Sequence, residues 1–428
     1  MKFQLKKILL ILILLFCSAS TNSLFILSNR GIASSNQSIQ RIALILDSSE
    51  FYDSYFINDV LNGFDLVNQT YNIDYDVYQL TNYTSPSTSG DETINRYPYR
   101  ATYYYNNSAT NHTELANELV GTAQYDLIVF IGYELRREKK ENYLPVRYPD
   151  TKFLYYDLSG DLPSHPGDKL GTNVAVVSFN ESHVGFIAGT LAAAMSPLPQ
   201  KIAMIGTYRN SVGIELDDPD DPKSLPPDPR SWQLITGFQS GFLRKSADVE
   251  FYISFIDYYW KNWSSYTKAR GLVEELDDQG YELVFAALQN NNTLGVIDGF
   301  TGSVVAVDSD RIITDELEPL KVVKNNTKTI LTIFEAFNQS QNGFLSGEFT
   351  FGLADNIFYP SGWERNDFDS EDINKIMGEI YTDVVISKVK IPTSIKHAEN
   401  TPSFEILTIS GLILYLSATR YNRKKRKR

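Results

Sequence analysis

Along this chain, short apolar runs alternate with amphipathic stretches of helical spacing. The runs are RIALILD (41–47), YDLIVFIG (125–132), KFLYYD (152–157), VAVVSF (174–179), KIAMIG (201–206), VEFYISFI (249–256), YELVFAAL (281–288) and SVVAVDSD (303–310). They lack strict apolar–polar alternation, so they predict strands buried on both faces, as in parallel sheets covered by helices. The intervening segments FINDVLNGFDLV, ELANELVG (114–121), SWQLITGFQSGFLRKS (231–246) and SYTKARGLVEELDDQG (265–280) read as those helices. A chain of 428 residues is long for one core, and the repeat predicts two α/β lobes.

The stretch NVAVVSFNESHVGFIAGTLAAAM (173–195) breaks the pattern in an informative way. Its turn holds Glu181 and no glycine before Gly185, so it offers no backbone cradle for a phosphate. Its apolar helix is short and is followed by Pro197 and Pro199, which argues against a membrane span. Gly185, Ala188, Gly189 and Ala192 recur at three- and four-residue spacing. That narrow face predicts close packing against a sheet. Two insertions interrupt the repeat: a polar, Tyr-rich segment (80–112), and GIELDDPDDPKSLPPDPR (213–230). Proline interrupts the acidic run of the second and its spacing matches no EF-hand, so it reads as a solvated loop rather than a calcium site.

Both ends read as handling segments. Lys2, Lys6 and Lys7 precede an apolar run and small residues, the layout of a signal peptide over 1–19 cleaved after Ala19; an uncleaved anchor is the alternative. Cys17 is the only cysteine, so a processed chain has neither disulfides nor thiol chemistry. Near the other end, an apolar run precedes a tail of Arg and Lys. This predicts a single anchor over 404–421 and a basic cytoplasmic tail over 422–428, with the rest on the extracellular face of the plasma membrane.

The charge balance agrees with that partition. Residues 1–19 hold three basic residues, and 401–428 hold seven basic and one acidic. Of 39 basic and 52 acidic residues, 29 and 51 therefore remain for 20–400, a net of −22. Such a surface repels nucleic acid. Asn-x-Ser/Thr sequons at Asn36, Asn68, Asn82, Asn106, Asn111, Asn180, Asn262, Asn291, Asn325 and Asn338 favour a glycosylated surface protein, given the signal.

Enzyme signatures are absent: no G-x-S-x-G, no phosphate-binding loop and no G-x-G-x-x-G. His112, His165, His183 and His397 lack metal-ligand spacing, and nothing implies a metal or cofactor. What recurs is polar and aromatic residues after strand ends, at the edge where open α/β sheets bind ligands. Asp47, Phe51, Tyr52 and Asp53 follow the first run, Tyr133 and Glu134 the second, Gln289, Asn290 and Asn291 the seventh, and Asp308 and Asp310 close the eighth. Taken singly, the Asp and Asn residues among them read first as caps of the next helix. As a set on one rim they suit a ligand with hydroxyls and a flat ring.

In its order of motifs, the chain resembles the basic membrane protein (BMP) family of ABC-transporter substrate-binding proteins, which includes purine-nucleoside receptors. The resemblance runs from about Arg41 to Tyr359. It is carried by the 173–195 stretch, by YDLIVFIGY…YPDTKF, by Trp263 followed by Lys268, and by VVAVDSD, PLKVVK and FTFGL. It implies an α/β fold of two Rossmann-like lobes, of periplasmic-binding-protein type I architecture, joined by a hinge. A linker over 20–40 would lead to lobe 1 (41–180 plus 321–342). Lobe 2 (181–320 plus 343–392) would be followed by a linker over 393–403. By the same resemblance, Asp53 belongs to the first ligand loop, Asp308 and Asp310 hold ribose hydroxyls, and Lys324 reaches the sugar from the hinge segment. Phe51, Tyr133 or Trp263 would stack on the ring, and Gln289 would line the rim. Ile57, Arg137 or Glu138, and AALQNNNTLG depart from the family pattern on the base-reading side. The implied partners are a nucleoside or related riboside and ABC permease and ATPase subunits. A sensory ectodomain acting through a partner protein and a surface hydrolase are the competing readings.

Overall fold

The computed structural model describes residues 39–46, 54–80, 102–106, 112–122, 124–131, 144–157, 171–208, 229–246, 248–257, 266–288, 291–307, 319–340, 343–363, 368–386 and 391. Both terminal segments expected to be signal and anchor lie outside these residues. So do residues 81–101 and 213–228 of the two insertions. Among the described residues no helix is long and apolar enough to cross a membrane.

The described strands form two sheets. The first contains β1 (Arg41–Leu46), β2 (Asp74–Leu80), β3 (Thr102–Asn106), β4 (Leu127–Ile131), β5 (Lys152–Tyr156), β6 (Val174–Phe179) and β12 (Gly347–Phe351). Its order is β12-β6-β5-β4-β1-β2-β3, with every pair parallel. The second contains β7 (Lys201–Tyr208), β8 (Glu250–Asp257), β9 (Leu283–Ala287), β10 (Ser303–Val307), β11 (Leu320–Lys324) and β13 (Phe358–Ser361). Its order is β13-β11-β10-β9-β7-β8, and of these strands only the edge strand β13 runs antiparallel.

The unbroken apolar runs have their expected cause. In β1, Ile42, Leu44 and Leu46 enter one core while Ala43 and Ile45 enter another on the opposite face. Against the first face pack α1 (Ser54–Tyr71) and α8 (Asn326–Gln339); against the other lie α2 (His112–Gly121) and the single turn α3 (Leu144–Arg147). The second sheet is likewise sandwiched. On one side are α4 (Glu181–Ala192) and α5 (Pro229–Leu243), with α9 (Ser370–Tyr381) behind α4. On the other are α6 (Tyr266–Asp278) and α7 (Asn291–Gly299).

Part of the first insertion belongs to the sheet: Leu80 ends β2, and the aromatic run TYYYN forms the edge strand β3 beside it. The glycine face of α4 also finds a different partner from the sheet expected of it. Gly185 and Gly189 meet Gly237 and Gly241 of α5, backbone to backbone. A Cβ at Gly185 would strike the Leu234 carbonyl oxygen, at Gly189 that of Phe238, and at Gly241 that of Phe186. Glycine on both helices permits this approach.

Among the described residues the chain passes between the sheets three times: from β6 into α4, from β11 into α8, and from β12 to β13. The expected lobe limits at 321 and 343 differ from these memberships, since β11 belongs to the second sheet and β12 to the first. The three crossings are bonded side by side. Asn180 N–H donates to the Phe351 carbonyl at 2.8 Å, and Asn325 N–H to that of Ile357 at 2.8 Å.

Candidate functional site

The site is assembled at the carboxyl ends of the strands. Asp157 comes directly after β5, Glu181 two residues after β6, and Lys324 is the last residue of β11. Arg230 lies in the first turn of α5, which comes after β7 in the chain, and Pro229 at the first position of that helix is pre-set for helical φ. All four side chains are almost fully withdrawn from water, at 8% exposure for Asp157, 0% for Glu181, 7% for Arg230 and 1% for Lys324.

Each cation touches both carboxylates. Lys324 Nζ donates to Glu181 Oε1 at 2.8 Å and stands 3.7 Å from Asp157 Oδ1. Arg230 Nε reaches the same Glu181 oxygen at 2.9 Å, and its Nη2 lies 3.2 Å from Asp157 Oδ2. Among the described residues the ring matches two acidic side chains with two basic ones, and an unpaired charge buried here would cost several kcal/mol. The Lys324 ammonium also sits 4.8 Å from the centroid of the Phe179 ring, which adds a cation–π attraction. Asp157 adopts φ 59°, a left-handed conformation that a non-glycine residue holds only when its surroundings enforce it.

A second polar shell fixes the crossings around this ring. Asn325 caps α8 by accepting from Lys328 N–H at 2.8 Å. Asp59 of α1 accepts from Asn326 N–H at 2.6 Å and from the Thr327 hydroxyl. Tyr156 O–H donates to the Asn326 side chain at 2.9 Å. At the third crossing, Leu353 N–H donates to His183 Nδ1 at 3.2 Å, and His183 Nε2 lies 3.2 Å from the Asn180 side-chain amide nitrogen. Burial pushes the His183 imidazole down to about 4, against a smaller upward pull from Asp355. A Cβ at Gly352 would lie 2.8 Å from His183 Nδ1, so this approach too needs glycine.

Of the residues expected at the site, Lys324 is placed, at the second crossing. Phe51, Asp53, Tyr133, Trp263, Gln289, Asp308 and Asp310 lie outside the described residues. Sequence reasoning misses the other three members of the ring. Asp157 has a signal, since it ends KFLYYD as Asp47 ends RIALILD. Glu181 reads from the sequence only as an obstacle to phosphate. Arg230 falls within the insertion expected to be solvated, whose last two residues in fact begin α5. Two sequons, Asn180 and Asn325, stand at the crossings with their side chains engaged.

Chemically, the ring can hold and orient groups through its charges and hydrogen-bond donors. Comparison with known proteins agrees with a binding role. Among solved structures, the chain is similar to ABC transporter solute-binding proteins from Aeropyrum pernix K1. That match has 15% identity, covers 89% of this chain and 98% of the other, and has a TM-score of 0.57. A solute-binding protein from Conexibacter woesei matches at 12% identity, 83% and 99% coverage and TM-score 0.55. A transcriptional activator of the comK gene from Bacillus halodurans matches at 14%, 82% and 99%, and 0.54. Identities this low establish the shared two-lobed fold alone. A search of curated protein sequences finds no match. The family model described as Bmp, ABC transporter substrate-binding protein PnrA-like, matches residues 39–386, most of the chain, and the protein therefore belongs to that family of substrate-binding proteins.

Proposed function

We propose that this protein is the surface-anchored binding component of an ABC importer and that its solute is a nucleoside or related riboside, held between the two lobes. Membership of the family implies a small-molecule ligand and permease and ATPase partners. The observation that supports the riboside is the position of Lys324. Family resemblance makes this hinge lysine the one that reaches the sugar, and here it ends β11 at the carboxyl edge, where open α/β sheets take their ligands. Its ammonium is pre-oriented by Glu181 and Phe179, so little side-chain entropy remains to be lost on binding. Closure of the lobes about the three crossings is the working step, and no bond is made or broken.

Binding to the native state alone raises its unfolding temperature, by about 2.7 kcal/mol of stabilisation at a hundredfold excess over Kd. Ribonucleosides are therefore expected to raise the unfolding temperature of the purified chain, and 2′-deoxynucleosides, which lack one hydroxyl of the diol, to raise it less. No shift with any ribonucleoside would overturn the riboside reading.

A further inference from the structure

In the ring Asp157–Arg230–Glu181–Lys324, the second cation, Arg230, has no task assigned to it so far. Arg230 belongs to the second lobe, on α5, whereas Asp157 closes a strand of the first sheet; Glu181 and Lys324 stand on the two crossings between them. Its guanidinium spreads as a fork, Nε to Glu181 at 2.9 Å and Nη2 to Asp157 at 3.2 Å, holding both carboxylates closely, whereas the Lys324 ammonium is that close to Glu181 alone. If that fork were removed, both carboxylates would compete for Lys324, whose Nζ already lies 2.8 Å from one and 3.7 Å from the other. The ammonium would then be drawn in between two buried anions, away from any solute.

We propose that Arg230 is a positioning residue for solute capture: by neutralising Asp157 and sharing Glu181 Oε1, it keeps Lys324 oriented at the crossing. This rests on the reading of Lys324 as the sugar-contacting lysine. Its electrostatic core, that Arg230 balances Asp157 and thereby holds two crossings in register, is testable without a solute.

The test compares the wild type, Arg230→Gln and the double variant Arg230→Gln/Asp157→Asn, all in the full chain. One arm measures inosine affinity. The other measures amide hydrogen exchange at residues 181–184 and 327–330, with the β4 and β9 cores as reference. Arg230→Gln is expected to weaken inosine binding by about tenfold or more and to speed exchange at both crossings by a similar factor, the reference strands being unchanged. The double variant, neutral again, is expected to recover both to within about threefold. Unchanged exchange in Arg230→Gln, loosening spread evenly into the reference strands, or a double variant no better than the single one would each overturn the proposal. If the wild type binds no inosine, the riboside reading loses support while the exchange arm still decides the role of Arg230. If Arg230→Gln does not fold, Asp157→Asn alone decides. It leaves the ring with excess positive charge, and unchanged exchange at the two crossings would again contradict the proposal.

Discussion

Arg230 Nε and Lys324 Nζ converge on a single oxygen, Glu181 Oε1, at 2.9 and 2.8 Å. One carboxylate at the start of α4 thus joins a helix of the second lobe to the last residue of β11. Removing one member of such a buried set leaves the others uncompensated. Lys324→Met is therefore expected to lower unfolding free energy by about 3–5 kcal/mol, measured by urea titration. A loss within error of zero would mean that the ring is dispensable.

The contact between α4 and α5 is set by backbone rather than side chains. Gly189→Ala or Gly241→Ala would drive a methyl group into a carbonyl of the facing helix. Each is expected to cost about 3 kcal/mol, whereas Gly271→Ala, with open space around it, is expected to be neutral or stabilising. Equal effects at all three positions would refute the close helix pair.

His183 gives the crossings a pH dependence. Its folded value, about 4, lies below the unfolded value near 6.5, so the unfolded chain takes up the proton first. Stability associated with this site is intact above pH 6.5 and is lost as pH falls towards 4. Protonation would also set a charged N–H against the Leu353 N–H that the ring now accepts. A His183→Gln variant retains an acceptor without titrating, and its melting temperature is expected to vary less between pH 6.5 and 4. An identical pH profile would exclude His183 as the cause.

The sequons divide by structural role. Asn325 caps α8, and its replacement by Ala is expected to cost about 1 kcal/mol with no change in glycan mass. Asn338, exposed on the last turn of α8, is the better acceptor, and its replacement is expected to remove any glycan carried there. Peptide mass spectrometry of native protein separates the two, and a glycan found on Asn325 would contradict the capping role.

The sheets are legible in the sequence because parallel strands buried on both faces leave an unbroken apolar signature, as in VAVVSF and YELVFAAL. Two of the edge strands are harder to see: β12 alternates in burial, and β3 lies inside a polar insertion. The partner of the α4 glycines is not readable either, because small residues pack as well on a helix as on a sheet. At the site, Lys324 is found through family resemblance. The ring around it joins residues as far apart as 157 and 324, and no local pattern encodes such a pairing. Arg230 is hidden most thoroughly, since its charge sits at the end of a Pro- and Asp-rich segment that reads as solvated.

The measurement that bears most directly on the central claim is a calorimetric titration. The full-length chain, stripped of any retained solute, would be titrated with adenosine, guanosine, inosine, cytidine and uridine in turn. Saturable binding of at least one, at one molecule per chain and weakened by Lys324→Met, is the predicted result. Absence of binding by all five, in protein that still binds a solute of another chemical class, would contradict it.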